Sequence, residues 1–365
     1  MIRVLVVDDS ALVRKLFGRV LGEEPDLEVR FARNGIDALA QLDDYRPDVI
    51  TLDVQMPEMD GLECLDRIML QRPCPVVMVS TVTAAGAEAT LNALQLGAID
   101  FVPKPSGAVS LHMAEFAPTL KSKIRAAAVA RVPASRRLRE RVQFRTGMAP
   151  LPRAHRAIGT EEAASLVAEG DGVVLVGTST GGPPALEALL VPLPATFPWP
   201  ILVAQHMPAA FTGPLARRLD GICALQVVEA AESQPLQAGT VYIGRGDADI
   251  VLSKRAGGLA VMTAPARREY PWHPSTDRLV RSALDHLPAR QLIGVLMTGM
   301  GNDGAVAMTE LRAGGGTTIA EAEETAVVWG MPGELARAGG ASFVLPLQRI
   351  AQRLQLLVPA NATRT

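Results

Sequence analysis

The chain has 365 residues, 48% of them apolar, and a formal net charge of −2; it is long enough for two or three domains with their own cores and too apolar for a disordered protein. Near-neutral charge gives no overall case for nucleic acid or for an anionic membrane surface, so partners must be read from local sites. Cys64, Cys74 and Cys223 are scattered without a CxxC pair, the N-terminus MIRVLVVDDS meets acids by residue 8, and no apolar run reaches spanning length; reduced, buried thiols, a cytoplasmic location and no membrane insertion are therefore expected.

From the start, short apolar runs alternate with helix-length amphipathic stretches: Val4–Val7, Leu27–Phe31, Val49–Leu52, Val76–Val79 and Ile99–Val102. This alternation predicts a five-stranded doubly wound α/β domain over residues 1–125, with its chemistry at the carboxyl ends of the strands. Asp8 and Asp9 end the first strand, Asp53 ends the third, and Lys104 follows the fifth. Three carboxylates gathered from separate strand ends repel one another unless a cation joins them, and oxygen ligands of this kind suit Mg2+. A carboxylate flanked by a divalent metal and a lysine can attack phosphorus and become an aspartyl phosphate. Singly, each acid also reads as a helix cap or a turn residue.

VLVVDDSALVR, LDVQMPEMDGLECL, VVMVSTVT and GAIDFVPKP resemble, in order, the motifs of a bacterial response-regulator receiver domain of flavodoxin-like (βα)5 fold. The resemblance implies that Asp53 is the phosphoacceptor, and that Asp8, Asp9, Asp53 and the backbone carbonyl of Gln55 hold Mg2+. It makes Ser80 the switch hydroxyl, Phe101 the aromatic that changes rotamer and Lys104 the phosphate partner, with a cis bond from Lys104 to Pro105. Gln55 stands where related proteins often have glutamate, a small departure for a backbone contact.

Periodicity weakens after Pro105, although Met113–Val132 is compatible with the receiver's last helix. Residues 126–170 read as a linker, rich in arginine and punctuated by proline, with a short helix at Thr160–Glu169. No zinc spacing, helix-turn-helix or aromatic platform accompanies the arginines, so a solvated tether is favoured over nucleic-acid binding. His112 and His155 have no motif around them and are expected to be exposed.

The second domain, residues 171–358, opens with DGVVLVGTSTGGP. Val173–Val176 is a strand buried on both faces, and Gly177, Ser179 and Gly181 satisfy GxSxG, which places a serine on a turn between strand and helix. A glycine-rich phosphate or dinucleotide loop, or a plain tight turn, fits the same stretch. Ile201–Ala204 is a second strand that delivers Gln205, His206 and Met207 ahead of Pro208; His206 reads as a base at a strand end or as a structural hydrogen-bonding histidine. In LIGVLMTGMGNDGA a third strand, Ile293–Met297, opens into a glycine-rich loop where Asp303 precedes a helix beginning near Ala305. Asp303 reads equally as an N-cap or a metal ligand. Together the three strand ends offer serine, histidine and aspartate, with loop amides for an oxyanion. Their chain order differs from the serine, acid, histidine order of α/β-hydrolases and argues against that superfamily.

VGTSTGG, AQHMPAAFTGPLARRLD, HPSTDRLVRSA, LMTGMGNDGA and VVWGMP resemble the successive landmarks of the chemotaxis protein-glutamate methylesterase (CheB) family, a receiver joined by a linker to a serine hydrolase. The resemblance implies a Rossmann-like doubly wound parallel-sheet domain, Ser179, His206 and Asp303 as triad, and Thr180 and Met300 close to it. It also implies methyl-accepting chemoreceptors as substrate, deamidation of receptor glutamines in some members, a chemotaxis histidine kinase as phosphodonor, and no cofactor for ester hydrolysis. Thr178 stands where alanine is common, and Glu321 where glutamine is expected; a carboxylate there is expected to raise the histidine pKa or change substrate preference. His273 and His286 are the rival bases, the first in a proline-bounded loop and the second on a helix surface.

The alternative reading is a phosphorylation-gated receiver protein with a non-catalytic nucleotide-binding output domain. It calls for an acidic ribose contact about twenty residues beyond the glycine loop, where this chain has Pro198, Trp199 and Pro200. Residues 359–365 are left as a C-terminal tail.

Overall fold

The computed structural model describes residues 1–104, 109–130, 172–255 and 258–358, with residues 109–115 described by backbone alone. Most of the expected linker, the Thr160–Glu169 helix, His155, the side chain of His112, the Lys104–Pro105 bond and the tail 359–365 lie outside the described residues. The chain divides into two compact units between His155 and Arg156.

In the first unit five parallel strands, β1 (Ile2–Val7), β2 (Leu27–Ala32), β3 (Val49–Asp53), β4 (Val76–Ser80) and β5 (Asp100–Pro103), stand in the order β2-β1-β3-β4-β5. Strands β3 and β4 are buried along their whole length, as their unbroken apolar runs require for a sheet covered on both faces. Four helices start at side-chain caps in which Ser10, Asn34, Asp60 and Thr83 accept amides of Val13, Asp37, Glu63 and Gly86. Each such cap is worth about 1 kcal/mol. Asp8, Asp9 and Asp53 cap none of these helices. The fifth helix, Val109–Ala128, begins before the expected Met113 and continues three residues past the expected domain end at 125. Because β1 is followed in the sheet by β2 on one side and β3 on the other, the switch in winding direction falls between β1 and β3, and a crevice opens at their carboxyl ends.

The second unit has seven parallel strands in the order β15-β14-β13-β6-β7-β10-β8. They are β6 (Val173–Thr178), β7 (Ile201–Gln205), β8 (Gln226–Ala230), β10 (Thr240–Gly244), β13 (Leu292–Leu296), β14 (Thr317–Glu321) and β15 (Phe343–Leu345). The chain winds outward from β6 through β7 and returns to the opposite side at β13, so its switch point lies between β6 and β13. A three-stranded antiparallel sheet, β9 (Gln234–Pro235), β12 (Gly258–Pro265) and β11 (Ala248–Arg255), is inserted before β13; nothing in the reading of the sequence separated it from the parallel strands. Trp199, 1% exposed, fills the start of the sheet so closely that a side chain at Gly172 would meet its ring at 2.5 Å. Proline–tryptophan–proline at 198–200 is thus core packing beside β7, which accounts for an aromatic where a dinucleotide fold would carry an acid.

Among the described residues no helix is long and apolar enough to cross a membrane. Cys64 and Cys74 are buried as expected; Cys223 is only half-buried.

Candidate functional site

The receiver acids meet at the β1/β3 crevice. Ligand oxygens of Asp8, Asp9 and Asp53 all lie within 4.8 Å of one another. Asp8 and Asp53 are buried and Asp9 is exposed. Asp8 uses Oδ1 to accept the Ser10 amide at 2.9 Å, which turns the chain into the first helix, and Asp53 Oδ1 accepts the Gln55 amide at 3.3 Å. Their other oxygens face Lys104: Nζ lies 2.7 Å from Asp53 Oδ2 and 3.0 Å from Asp8 Oδ2. The Asp8 contact is a charge attraction without hydrogen-bond alignment, which leaves Asp8 Oδ2 buried with no hydrogen-bond donor among the described residues. Burial pushes the Asp53 carboxyl up, and Lys104 only partly offsets it. An oxygen-rich, partly unsatisfied cradle of this kind suits a hard divalent cation.

Ser80 is fully buried and donates to the carbonyl of Gly86 at 3.1 Å. Phe101 is packed inward, 3% exposed, with Lys123 Nζ 5.1 Å from its ring centre. Gln55 is exposed beside Asp9 in a cleft of about 480 Å³.

In the second unit β6 lies between β13 and β7, with Gly177 paired to Leu296 and Thr178 to Gln205. Ser179 and His206 therefore leave neighbouring strands at the same level, and the His206 amide donates to the Thr178 carbonyl at 3.1 Å. Asp303 comes from the loop after β13. It does not cap the following helix Ala305–Ala313, whose cap is Gly304. Instead its Oδ2 meets His206 Nε2 at 2.8 Å, and the amides of Thr276 and Asp277 donate to its two oxygens at 2.6 and 3.0 Å. Burial acts to raise the Asp303 carboxyl, but His206 and these amides outweigh it and hold the group below its ordinary range. With Nε2 on a carboxylate, the imidazole carries its proton there. His206 Nδ1, buried and with no hydrogen-bond partner among the described residues, is the nitrogen left with a lone pair.

The serine loop is closed against protein. A side chain at Gly182 would lie 1.9 Å from Gln205 Oε1, and Gly181, at φ +76°, backs onto Val327. Glycine is required at both positions for packing, a use that a phosphate cradle does not need. The Ser179 amide donates to Thr298 O at 3.0 Å and the Gly182 amide to Ser179 O at 2.8 Å. The first is committed to the segment after β13 and the second within the loop itself, so an oxyanion must draw its donors from other groups. Gln205 Nε2 donates to the carbonyls of Ser179 and His206, at 3.1 and 3.0 Å, and ties the two loops together.

Thr298, which the sequence reading passed over, is the hub of this arrangement. Its hydroxyl donates to the Thr180 carbonyl at 2.8 Å, its carbonyl holds the Ser179 amide, and its own amide donates to Glu321 Oε2 at 2.8 Å. Glu321 is fully buried and its other oxygen takes the Thr325 hydroxyl at 3.0 Å. Each of its two oxygens thus takes a donor, Oε2 from Thr298 and Oε1 from Thr325. Met300 lies half-buried in that loop. Of the rival bases, His273 pairs with Asp249 at 2.9 Å rather than with Ser179, and His286 is exposed just beyond the end of its helix.

Residues 174–354 match the family model for CheB methylesterase, and residues 4–114 match that for the response regulator receiver domain. The chain is 56% identical over 354 residues to a protein-glutamate methylesterase/protein-glutamine glutaminase of Rhodopseudomonas palustris, covering 96% of each chain. It is 51% identical to one from Rhodospirillum rubrum, covering 97% of this chain and 95% of that one. The crystal structure of the Thermotoga maritima CheB methylesterase catalytic domain aligns over all of its length and 52% of this chain, with 37% identity and a TM-score of 0.50. The two family models and these relatives together span nearly the whole chain, which therefore belongs to the CheB methylesterase family in its receiver-bearing form.

Proposed function

We propose that this protein is a phosphorylation-activated protein-glutamate methylesterase. It hydrolyses glutamate methyl esters on methyl-accepting chemoreceptors, deamidates receptor glutamines by the same route, and works in the cytoplasm. The observation that carries the reading is the buried His206–Asp303 pair at 2.8 Å, beside the strand end that presents Ser179.

In this mechanism Ser179 Oγ attacks the ester carbonyl as its proton passes to His206 Nδ1. Asp303 stays ionised, keeps the Nε2 proton in place and stabilises the imidazolium. Thr180 and Met300 flank the reacting groups. The tetrahedral adduct collapses, and methanol leaves with the proton from His206. Water then gives a proton to the same nitrogen as it attacks the acyl-enzyme; the second adduct collapses, His206 returns that proton to Ser179 Oγ, and the glutamate side chain leaves as an acid that ionises in water. A glutamine substrate differs only in losing ammonia. Every step as written uses groups of the chain and water.

A chemotaxis histidine kinase supplies the phosphoryl group to Asp53. Asp8, Asp9, Asp53 and the Gln55 carbonyl would hold Mg2+, whose bound charge offsets that of the transferring group. Lys104, already 2.7 Å from Asp53, draws the phosphoryl oxygens once it forms. Ser80 must release the Gly86 carbonyl to reach them, and Phe101 follows by changing rotamer. This change is coupled to activation of ester hydrolysis at Ser179. Nucleic acid has no part in the cycle.

The test is methanol release from methylated receptor membranes, with and without a small-molecule phosphodonor and Mg2+. Stimulated release that is lost in both Ser179→Ala and Asp53→Asn supports hydrolysis and its gating. Absence of release with a cognate receptor present overturns the reading.

A further inference from the structure

The four residues Trp272–Ser275 touch both members of the His206–Asp303 dyad. The Trp272 indole lies parallel to the His206 imidazole, with 9° between the planes and 6.0 Å between ring centres. Its far edge rests on Gly301, at φ +85°, where any side chain would meet the ring at 2.8 Å. Ser275 Oγ donates to Asp303 Oδ1 at 2.9 Å. The segment then runs directly into the helix Thr276–Leu284, whose first two amides also go to Asp303. Apart from His206, every hydrogen bond to that carboxylate among the described residues comes from three consecutive residues, Ser275, Thr276 and Asp277.

These residues are held from behind by Asp249, on β11. Asp249 is fully buried, and such a carboxylate is costly unless donors compensate it. It has three: His273 Nδ1 at 2.9 Å, the Ser275 amide at 2.7 Å and Arg278 Nη1 at 2.5 Å. All three belong to the segment that touches the dyad or to the helix it enters. Arg278 also reaches the Pro265 carbonyl at the end of β12, so the antiparallel sheet grips the segment at two points.

We infer that Asp249 anchors a positioning strap, Trp272–Ser275, which fixes the plane of the His206 imidazole and the orientation of the Asp303 carboxylate for ester hydrolysis. The inference rests on the proposed triad. Asp249, Trp272 and Ser275 are positioning residues: they act through His206 and Asp303 and do not meet the ester. Misplacement of a reacting group by about 1 Å costs on the order of a hundredfold in rate, which is the scale of effect a strap of this kind governs. The charged groups facing Asp303 are His206 after β7 and Asp277 on the helix whose first amides it accepts; Arg278 and His273 face Asp249, and Glu310 on the next helix is paired with Arg281.

The experiment is the pH dependence of kcat and kcat/KM of the full chain on methylated receptor membranes, for the wild type and for Ser275→Ala, Ser275→Thr, Asp249→Asn, Trp272→Ala and Trp272→Phe. Ser275→Ala should lower kcat by about 10- to 100-fold with KM within about twofold. It should also move the acid limb of kcat/KM up by about half to one pH unit, because an Asp303 that has lost a donor holds the imidazolium more tightly. Ser275→Thr should restore both, Trp272→Phe should recover most of what Trp272→Ala loses, and Asp249→Asn should lower kcat by about tenfold without changing KM. If Ser275→Ala loses activity only in proportion to its folded fraction, with an acid limb that superimposes on wild type, the strap is structural and the inference fails. Failure of the triad looks different: turnover retained by Ser179→Ala or His206→Gln would remove both readings together, whereas inactive Ser179→Ala with an unmoved Ser275→Ala profile removes the strap alone.

Discussion

The two units place their chemistry at equivalent points, the carboxyl ends of parallel strands where the winding direction switches, yet they treat charge in opposite ways. At the receiver crevice three carboxylates meet, two of them, Asp8 and Asp53, against Lys104, and burial leaves Asp53 raised despite it. In the second unit the single acid Asp303 accepts four hydrogen bonds and is held low. A site that is to hold a divalent cation gains from oxygens left free to coordinate it. A site that must hold an imidazole in one tautomer gains from having none.

The largest effect is expected where the satisfied site is broken. Ser179→Ala should reduce methanol release by at least about 10⁴-fold while near-ultraviolet circular dichroism of the protein is retained. Asp303→Asn should cost about 10³- to 10⁴-fold, since an amide cannot both accept the two helix amides and stabilise an imidazolium; a loss of less than tenfold would remove Asp303 from the triad. At the receiver, Asp53→Asn should leave basal hydrolysis unchanged and abolish stimulation by the phosphodonor, read in the same assay. Gly182→Ala should destabilise the second unit by about 1–3 kcal/mol, because a methyl group meets Gln205 Oε1; an unchanged melting temperature would contradict the packing of the serine loop.

Acid should separate the two sites by sign. Asp303, depressed in the folded state, contributes stability that is present above the unfolded carboxyl value of about 3.9 and is lost as pH falls through its lower folded value. Asp53, raised in the folded state, is a cost above its folded value that is relieved as pH falls through it. Hydrogen exchange between pH 6 and 3 should therefore show the receiver crevice protected, relative to the Asp303 loop, as acid is added. The smallest effect concerns the thiols. Burial pushes Cys64 and Cys74 up to about 12 and Cys223 to about 11, so at pH 8 a thiol reagent should modify native protein slowly, at Cys223 first.

How far the sequence could be read depended on how local the signal was. Strand runs such as Val49–Leu52 and Val173–Val176 declare themselves because a strand covered on both faces has no polar position to interrupt it. Ser179 and His206 stand out because each closely follows such a run, and Asp303 because it lies in the glycine-rich loop that a third run opens into. Asp249 and Ser275 did not, because their partners lie 24 to 29 positions away along the chain or come from other elements, and a carboxylate inside a strand of ordinary alternation looks like a surface residue. Glu321 is legible as an unusual charge in the sequence, with an expected effect on the histidine or on substrate preference; that its carboxylate takes the Thr298 amide and the Thr325 hydroxyl is visible only in the folded structure.

The sequence by itself determined the two α/β units, the five strands of the first, three strands of the second and the residue types that follow them, because hydrophobic periodicity and turn chemistry act over a few residues. Only the tertiary structure decided which nitrogen of His206 meets Asp303, which loop amides are already committed, and how Asp249 reaches the dyad through Ser275. Those are hydrogen bonds between residues far apart in the chain, and their partners are selected by strand order and burial, which no local pattern encodes.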